Sequence, residues 1–164
     1  MSLHSDLLRQ AKQLARLEPR HPRPASLRRA VSAAYYALFH LLIHEATRTL
    51  ISAPDLRNRF ARAFDHGDMK AASNAFANPP ADLKRLTGGT PIPPDLQTVA
   101  ETFAMMQEER HHADYDLGKN FTRVEVNNLV ATVDQAFRLW PALRTDPATR
   151  SYLAALLLWK KWNR

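Results

Sequence analysis

The chain has 164 residues, 45% hydrophobic and 24% charged, which is enough for one soluble folded domain with a real core and argues against a disordered or fibrous class. It has no cysteine, which excludes disulfides and thiolate-held metals, and no run of about 18 apolar residues, which excludes a membrane-spanning helix. Lys and Arg outnumber Asp and Glu by 23 to 16, a formal charge of +7 carried mostly by Arg, and this favours an anionic partner, nucleic acid ahead of a membrane surface. The charge is spread along the chain rather than gathered in one block, so a purely compositional origin fits it as well.

Residues 2–17 read as a first helix, with Leu3, Leu7, Leu8, Ala11, Leu14 and Ala15 on one stripe and Arg9, Lys12 and Arg16 outside it. Pro19, Pro22 and Pro24 then set an extended basic connector. The run from Ser26 to Ile51, SLRRAVSAAYYALFHLLIHEATRTLI, has neither Pro nor Gly and predicts a helix of about seven turns with Ser26 as its N-cap. It is apolar around most of its circumference, so it is expected at the centre of a bundle. One side differs: Arg29, Ala33, Tyr36, His40 and His44 recur every three or four residues and place a cation, a phenol and two imidazoles on one face. That pattern fits either a half-exposed edge or a polar cleft that binds something.

Pro54 starts a short helix patterned by Leu56, Phe60, Ala63 and Phe64, expected to close near His66 and Gly67, and 68–76 forms another. Residues 78–94 hold five of the eleven prolines and two adjacent glycines, and are expected to form a long surface loop with a turn around Ala81 to Leu86. From Asp95, Leu96, Val99, Ala100, Phe103 and Met106 make a core stripe that continues into Arg110 and Asp114. A buried guanidinium and a carboxylate four residues apart need one another or another partner, so the spacing fits an ion pair or a binding site; a helix end already in water is the alternative. Gly118 is the expected stop. Thr122 and Glu125 form a capping box for a helix striped by Val126, Leu129, Val130, Val133, Phe137 and Trp140 and ended by Pro141. Asp146 and Pro147 open a last helix, 146–162, basic and aromatic at its end.

Two segments resemble a known family. SAAYYALFH, Ser32 to His40, is similar to the signature on the early core helix of HEPN-domain proteins, and RHHADYD, Arg110 to Asp116, is similar to the Arg-x-x-Ala-Asp-Tyr-Asp element of one HEPN subfamily. The resemblance covers about residues 26–140. It implies an all-α, four- to five-helix up-and-down bundle, here with an extra C-terminal helix, in a single domain over 1–164. It also implies a homodimer, an RNA or nucleotide ligand, and a place in a toxin–antitoxin or defence pair with a small nucleotidyltransferase.

Many HEPN proteins are metal-independent endoribonucleases that use an Arg and a His separated by four to six residues. This chain departs from that pattern: Tyr115, Asp116 and Leu117 stand at the allowed positions after Arg110, while His111 and His112 are too close and Arg59 with His66 fits in spacing only. The expected site is therefore a cleft of Tyr36, His40, Arg110, His111, Asp114 and Tyr115, with Arg110 on phosphate and Asp114 fixing it. Arg110 with His66, His111 or His112 stands as the acid/base pair of the ribonuclease alternative, and a purely structural bundle is a further alternative. His40, His44 and Glu45 lack the further converging ligands that zinc needs, and no phosphate loop or dinucleotide fingerprint is present, so neither a metal nor a cofactor is expected. The first residues carry no apolar signal core, which makes the cytoplasm the expected location.

Overall fold

The computed structural model describes residues 1–162, and the all-α expectation holds. There are eight helices and no strand among the described residues: α1 Leu3–Arg16, α2 Pro24–Leu50, α3 Pro54–Ala61, α4 His66–Ala77, α5 Leu83–Leu86, α6 Pro94–Tyr115, α7 Arg123–Leu143 and α8 Pro147–Trp162. None is long and apolar enough to cross a membrane. The chain forms two compact units, one of Met1–His40 with Met105–Arg138 and one of Leu41–Ala104 with the chain from Leu139 onward.

In the first unit, Ser2 caps α1 by accepting from the Ser5 amide, and Leu8, Ala11 and Ala15 are buried. Leu3, expected on the same stripe, is exposed, because the core-facing arc of the helix begins a turn later. The connector after α1 is not simply extended. Glu18 adopts a left-handed backbone (φ 51°), which costs a residue with a Cβ about 1 kcal/mol. Its carboxylate accepts from the Arg23 amide and the Ser26 hydroxyl, and its carbonyl, with those of Ala15 and Leu17, accepts from the Arg123 guanidinium. Ser26 is therefore inside the helix and not its N-cap; α2 begins at Pro24, whose fixed φ suits a first turn. On α2 the apolar circumference is buried as its composition implies: Leu27, Val31, Ala34, Tyr35 and Leu38 are all nearly inaccessible.

The helix predicted to run to Gly118 stops at Tyr115, and the Asp116 carboxylate accepts from the amides of Gly118 and Lys119 to turn the chain. The capping box forms as expected, with Thr122 and Glu125 exchanging hydrogen bonds at the start of α7.

In the second unit, His66 and Gly67 open α4 rather than closing α3. Asp65 is the cap, accepting from the amides of Gly67 and Asp68 at 2.8 and 3.1 Å, and those bonds, that of Asp68 foremost, hold its carboxyl below the usual range. α3 buries nothing: of its expected stripe Leu56 and Phe60 stay exposed, and of the residues after it only Phe64 is buried. The loop at 78–94 contains the short α5, closed by Gly88 and Gly89 at φ 60° and 83°, where the Gly89 amide reaches back to the Lys84 carbonyl. Pro141 does not stop α7, which continues to Leu143. A proline forfeits one backbone donor, and so near the helix end the rest of the turn survives it.

α4 packs on α8, where Ser73 and Tyr152, both fully buried, share a 2.8 Å hydrogen bond, and burial pushes the Tyr152 phenol up. Asp146 caps α8 through the Ala148 amide, and Lys160 near its end pairs with Asp68. Glu45 is buried and receives two hydrogen bonds from Arg144, at 3.0 and 2.7 Å. Desolvation alone would raise the Glu45 carboxyl; the Arg144 bonds and charge outweigh it, and the net shift is downward.

Two measurements check this packing. A depressed carboxyl stabilises the fold above its unfolded titration range and loses that contribution as pH falls through the folded value, so the Arg144–Glu45 contribution should fade in acid. Arg144→Met leaves Glu45 buried without its partner at neutral pH, so its melting-temperature deficit should be largest near pH 7 and shrink in acid as the carboxyl of the variant takes up a proton; a constant deficit would contradict the pairing. Tyr152→Phe, which strands the Ser73 hydroxyl, should cost about 1–2 kcal/mol by urea unfolding, and Tyr152→Phe with Ser73→Ala should cost less than the two single changes added.

Candidate functional site

The two motif segments meet in the first unit. Arg110 is 8% exposed, and its guanidinium carbon lies 5.3 Å from the Tyr35 ring centroid and 5.9 Å from that of Tyr36. A planar cation against two aromatic faces is attracted by their quadrupoles, and desolvation strengthens that attraction. The Arg110–Asp114 ion pair expected from the spacing is present at 3.5 Å. The second Asp114 oxygen accepts from the Ser32 hydroxyl, so one carboxylate ties a serine of the first motif to the arginine of the second. The Arg110 Nε is buried with no hydrogen-bond partner.

Arg28 holds the end of α6. Its two terminal nitrogens donate to the carbonyls of His112, Ala113, Asp116 and Lys119, at 2.5–3.1 Å. The first two carbonyls belong to the last turn of α6 and the other two to the turn after it, so one guanidinium fork ties the helix end to the chain that leaves it and complements the helix dipole. Sequence reading passed over Arg28 and gave Ser32 no role. The available signal was spacing: Arg28, Ser32 and Tyr36 succeed one another by four along α2.

Above this latch lies an open groove of about 800 Å³. Leu7, Gln10 and Leu14 of α1 form one wall, Ala25, Arg28, Arg29, Ser32, Ala33 and Tyr36 of α2 the floor, and Ala113, Asp114 and Tyr115 of α6 the other wall. Tyr36 is half-buried and Tyr115 is 66% exposed, its ring 5.1 Å from that of His111. Arg29 is exposed and makes no ion pair among the described residues.

The expected residues divide accordingly. Tyr36, Asp114 and Tyr115 line the groove. Arg110 does not; it sits beneath, against Tyr36 and Asp114, so the guanidinium on the groove surface that is free to meet phosphate belongs to Arg29. His40 is half-buried beside Tyr36 and Phe39, with ring centroids 6.3 and 5.3 Å away, and His112 lies with Nδ1 4.0 Å from Glu109. His66 is the first residue of α4, in the second unit. Among the described residues no cluster of three or more His, Asp or Glu side chains is arranged to hold a metal.

Removing Asp114 leaves Arg110 buried without its carboxylate. Asp114→Asn should therefore destabilise the protein by about 2–4 kcal/mol in urea unfolding, whereas Tyr115→Ala, at an exposed ring, should stay within about 0.5 kcal/mol of the parent. Equal effects of the two changes would contradict the latch.

No family model, curated protein or solved structure significantly matches this chain.

Proposed function

We propose that the protein is a HEPN-like binder of RNA or nucleotides, with the groove of the first unit as its site. The observation that carries this reading is the Ser32–Asp114–Arg110 latch, which joins the two motif segments and sets Tyr36 and Tyr115 beside the unpaired Arg29 on one open surface. Aromatic faces take bases by stacking regardless of sequence, and a guanidinium takes phosphate by paired hydrogen bonds. Arg110 positions the latch, and Arg29 makes the phosphate contact. The same reading includes a homodimer and a small nucleotidyltransferase as protein partner. Binding without cleavage is favoured over ribonuclease activity because the positions five to seven residues beyond Arg110 carry Tyr115, Asp116 and Leu117 and no imidazole to move a proton.

The test is fluorescence anisotropy with a labelled single-stranded RNA of twelve nucleotides, alongside a cleavage assay in EDTA. One phosphate contact predicts roughly threefold weakening between 50 and 200 mM salt, and Arg29→Ala should weaken binding and remove most of that salt slope. Absence of binding at 50 mM salt would end the proposal. Metal-independent cleavage lost in His111→Ala or His66→Ala would replace it with an enzyme.

A further inference from the structure

The groove of the first unit carries a carboxylate that phosphate binding does not call for. Asp114 lines it together with Arg29, Ser32, Tyr36 and Tyr115, and its side chain keeps 26% of its surface accessible. A carboxylate repels phosphate, so the part of a ligand that meets Asp114 must be a hydrogen-bond donor. Its two oxygens are only partly engaged. One accepts from the Ser32 hydroxyl, and the other lies 3.5 Å from an Arg110 nitrogen. An ionised carboxyl offers about four acceptor positions, two on each oxygen, so each oxygen can take a second donor.

Arg110 also ties the carboxylate to a stacking face. Its guanidinium pairs with Asp114 at 3.5 Å and lies 5.9 Å from the centre of the Tyr36 ring, and Tyr115 is the next residue along α6. Stacking on a tyrosine accepts every base, but a paired acceptor at the edge of the stack does not. Guanine presents two adjacent donors, N1–H and the N2 amine, which match the two oxygens of one carboxylate. Adenine and cytosine present an amine beside a ring nitrogen that accepts, and uracil one N–H between two carbonyls. Each of these three sets an acceptor against the carboxylate, and a site built for donors rejects such a partner.

We infer that the groove selects guanine, with Asp114 accepting from N1–H and the N2 amine of a base stacked on the tyrosines while Arg29 meets a phosphate. The inference rests on the groove reading above and adds to it the choice of base.

The test varies the probe, which leaves the latch intact. A labelled oligouridylate of twelve nucleotides, with its central position changed one base at a time, is titrated with the intact chain at 50 mM salt. A central guanine should bind roughly tenfold tighter than uridine throughout, and a central adenine no more than about twofold tighter. Inosine, which is guanosine without the N2 amine, should lose at least threefold of the gain. Deoxyguanosine should keep it, because the contact is to the base and not to the 2′-hydroxyl. Arg29→Ala should weaken the guanine and all-uridine probes in the same proportion. Asp114→Asn, assayed at a temperature where circular dichroism shows it folded, should bring guanine and inosine level. The proposal is overturned by equal binding of guanine and adenine, by inosine that binds as well as guanine, by a gain that vanishes with deoxyguanosine, or by a guanine preference that survives Asp114→Asn. In each of those cases binding of the all-uridine probe leaves the groove reading standing, whereas no binding by any probe ends both.

Discussion

A guanidinium buried in the first unit sets the terms for everything around it. Arg110 cannot give up its proton, so its burial requires compensation at all pH values of interest. Asp114 supplies the opposite charge, Ser32 fixes Asp114, and the rings of Tyr35 and Tyr36 supply the electron-rich faces. These contacts fix the side chains of one turn of α2 against the end of α6. The groove is the surface left over once that end of α6 has been tied down, and its polar residues are placed by the same bonds that solve the burial problem.

Much of this was legible in the sequence because it is local and periodic. The helices follow from 3.6-residue spacing and caps such as Thr122 with Glu125 and Asp146 before Pro147, and the Arg110–Asp114 pair follows from a core stripe running into two charges four apart. What was not legible depends on contacts between distant residues or on one backbone angle. Arg28 looks like any surface arginine until the end of α6 is beside it. Ser26 looks like a cap until Glu18, in a conformation unusual for glutamate, claims its hydroxyl. Asp65 was passed over as a cap because His66 and Gly67 resemble a helix stop, and Pro141 was taken as a breaker because the propensity of proline says nothing about how close a helix already is to its end. The inward turn of Arg110 was foreseen; its place beneath the groove surface, with Arg29 outside, was not, since periodicity gives a direction but no depth.

The second unit solves a similar problem by other means. Glu45 is the buried charge there, and its partner Arg144 reaches it from a side chain that is itself 54% exposed, so solvent shares in stabilising the cation. Ser73 and Tyr152 show the neutral version, two hydroxyls that satisfy one another in a dry contact. Buried polarity here is paired with a specific partner on another element, and such pairs select one register of helix packing more sharply than apolar contact alone.

The four carbonyls gathered by Arg28 separate two properties that a formal charge of +7 runs together. That guanidinium still adds to the long-range field that draws anions in, yet its terminal nitrogens are already engaged and it has little grip left to offer on arrival. A lysine in its place would conserve the electrophoretic behaviour of the protein to the last unit. A single ammonium cannot span four oxygens, however, so the end of α6 would fray and the Tyr115 wall of the groove with it.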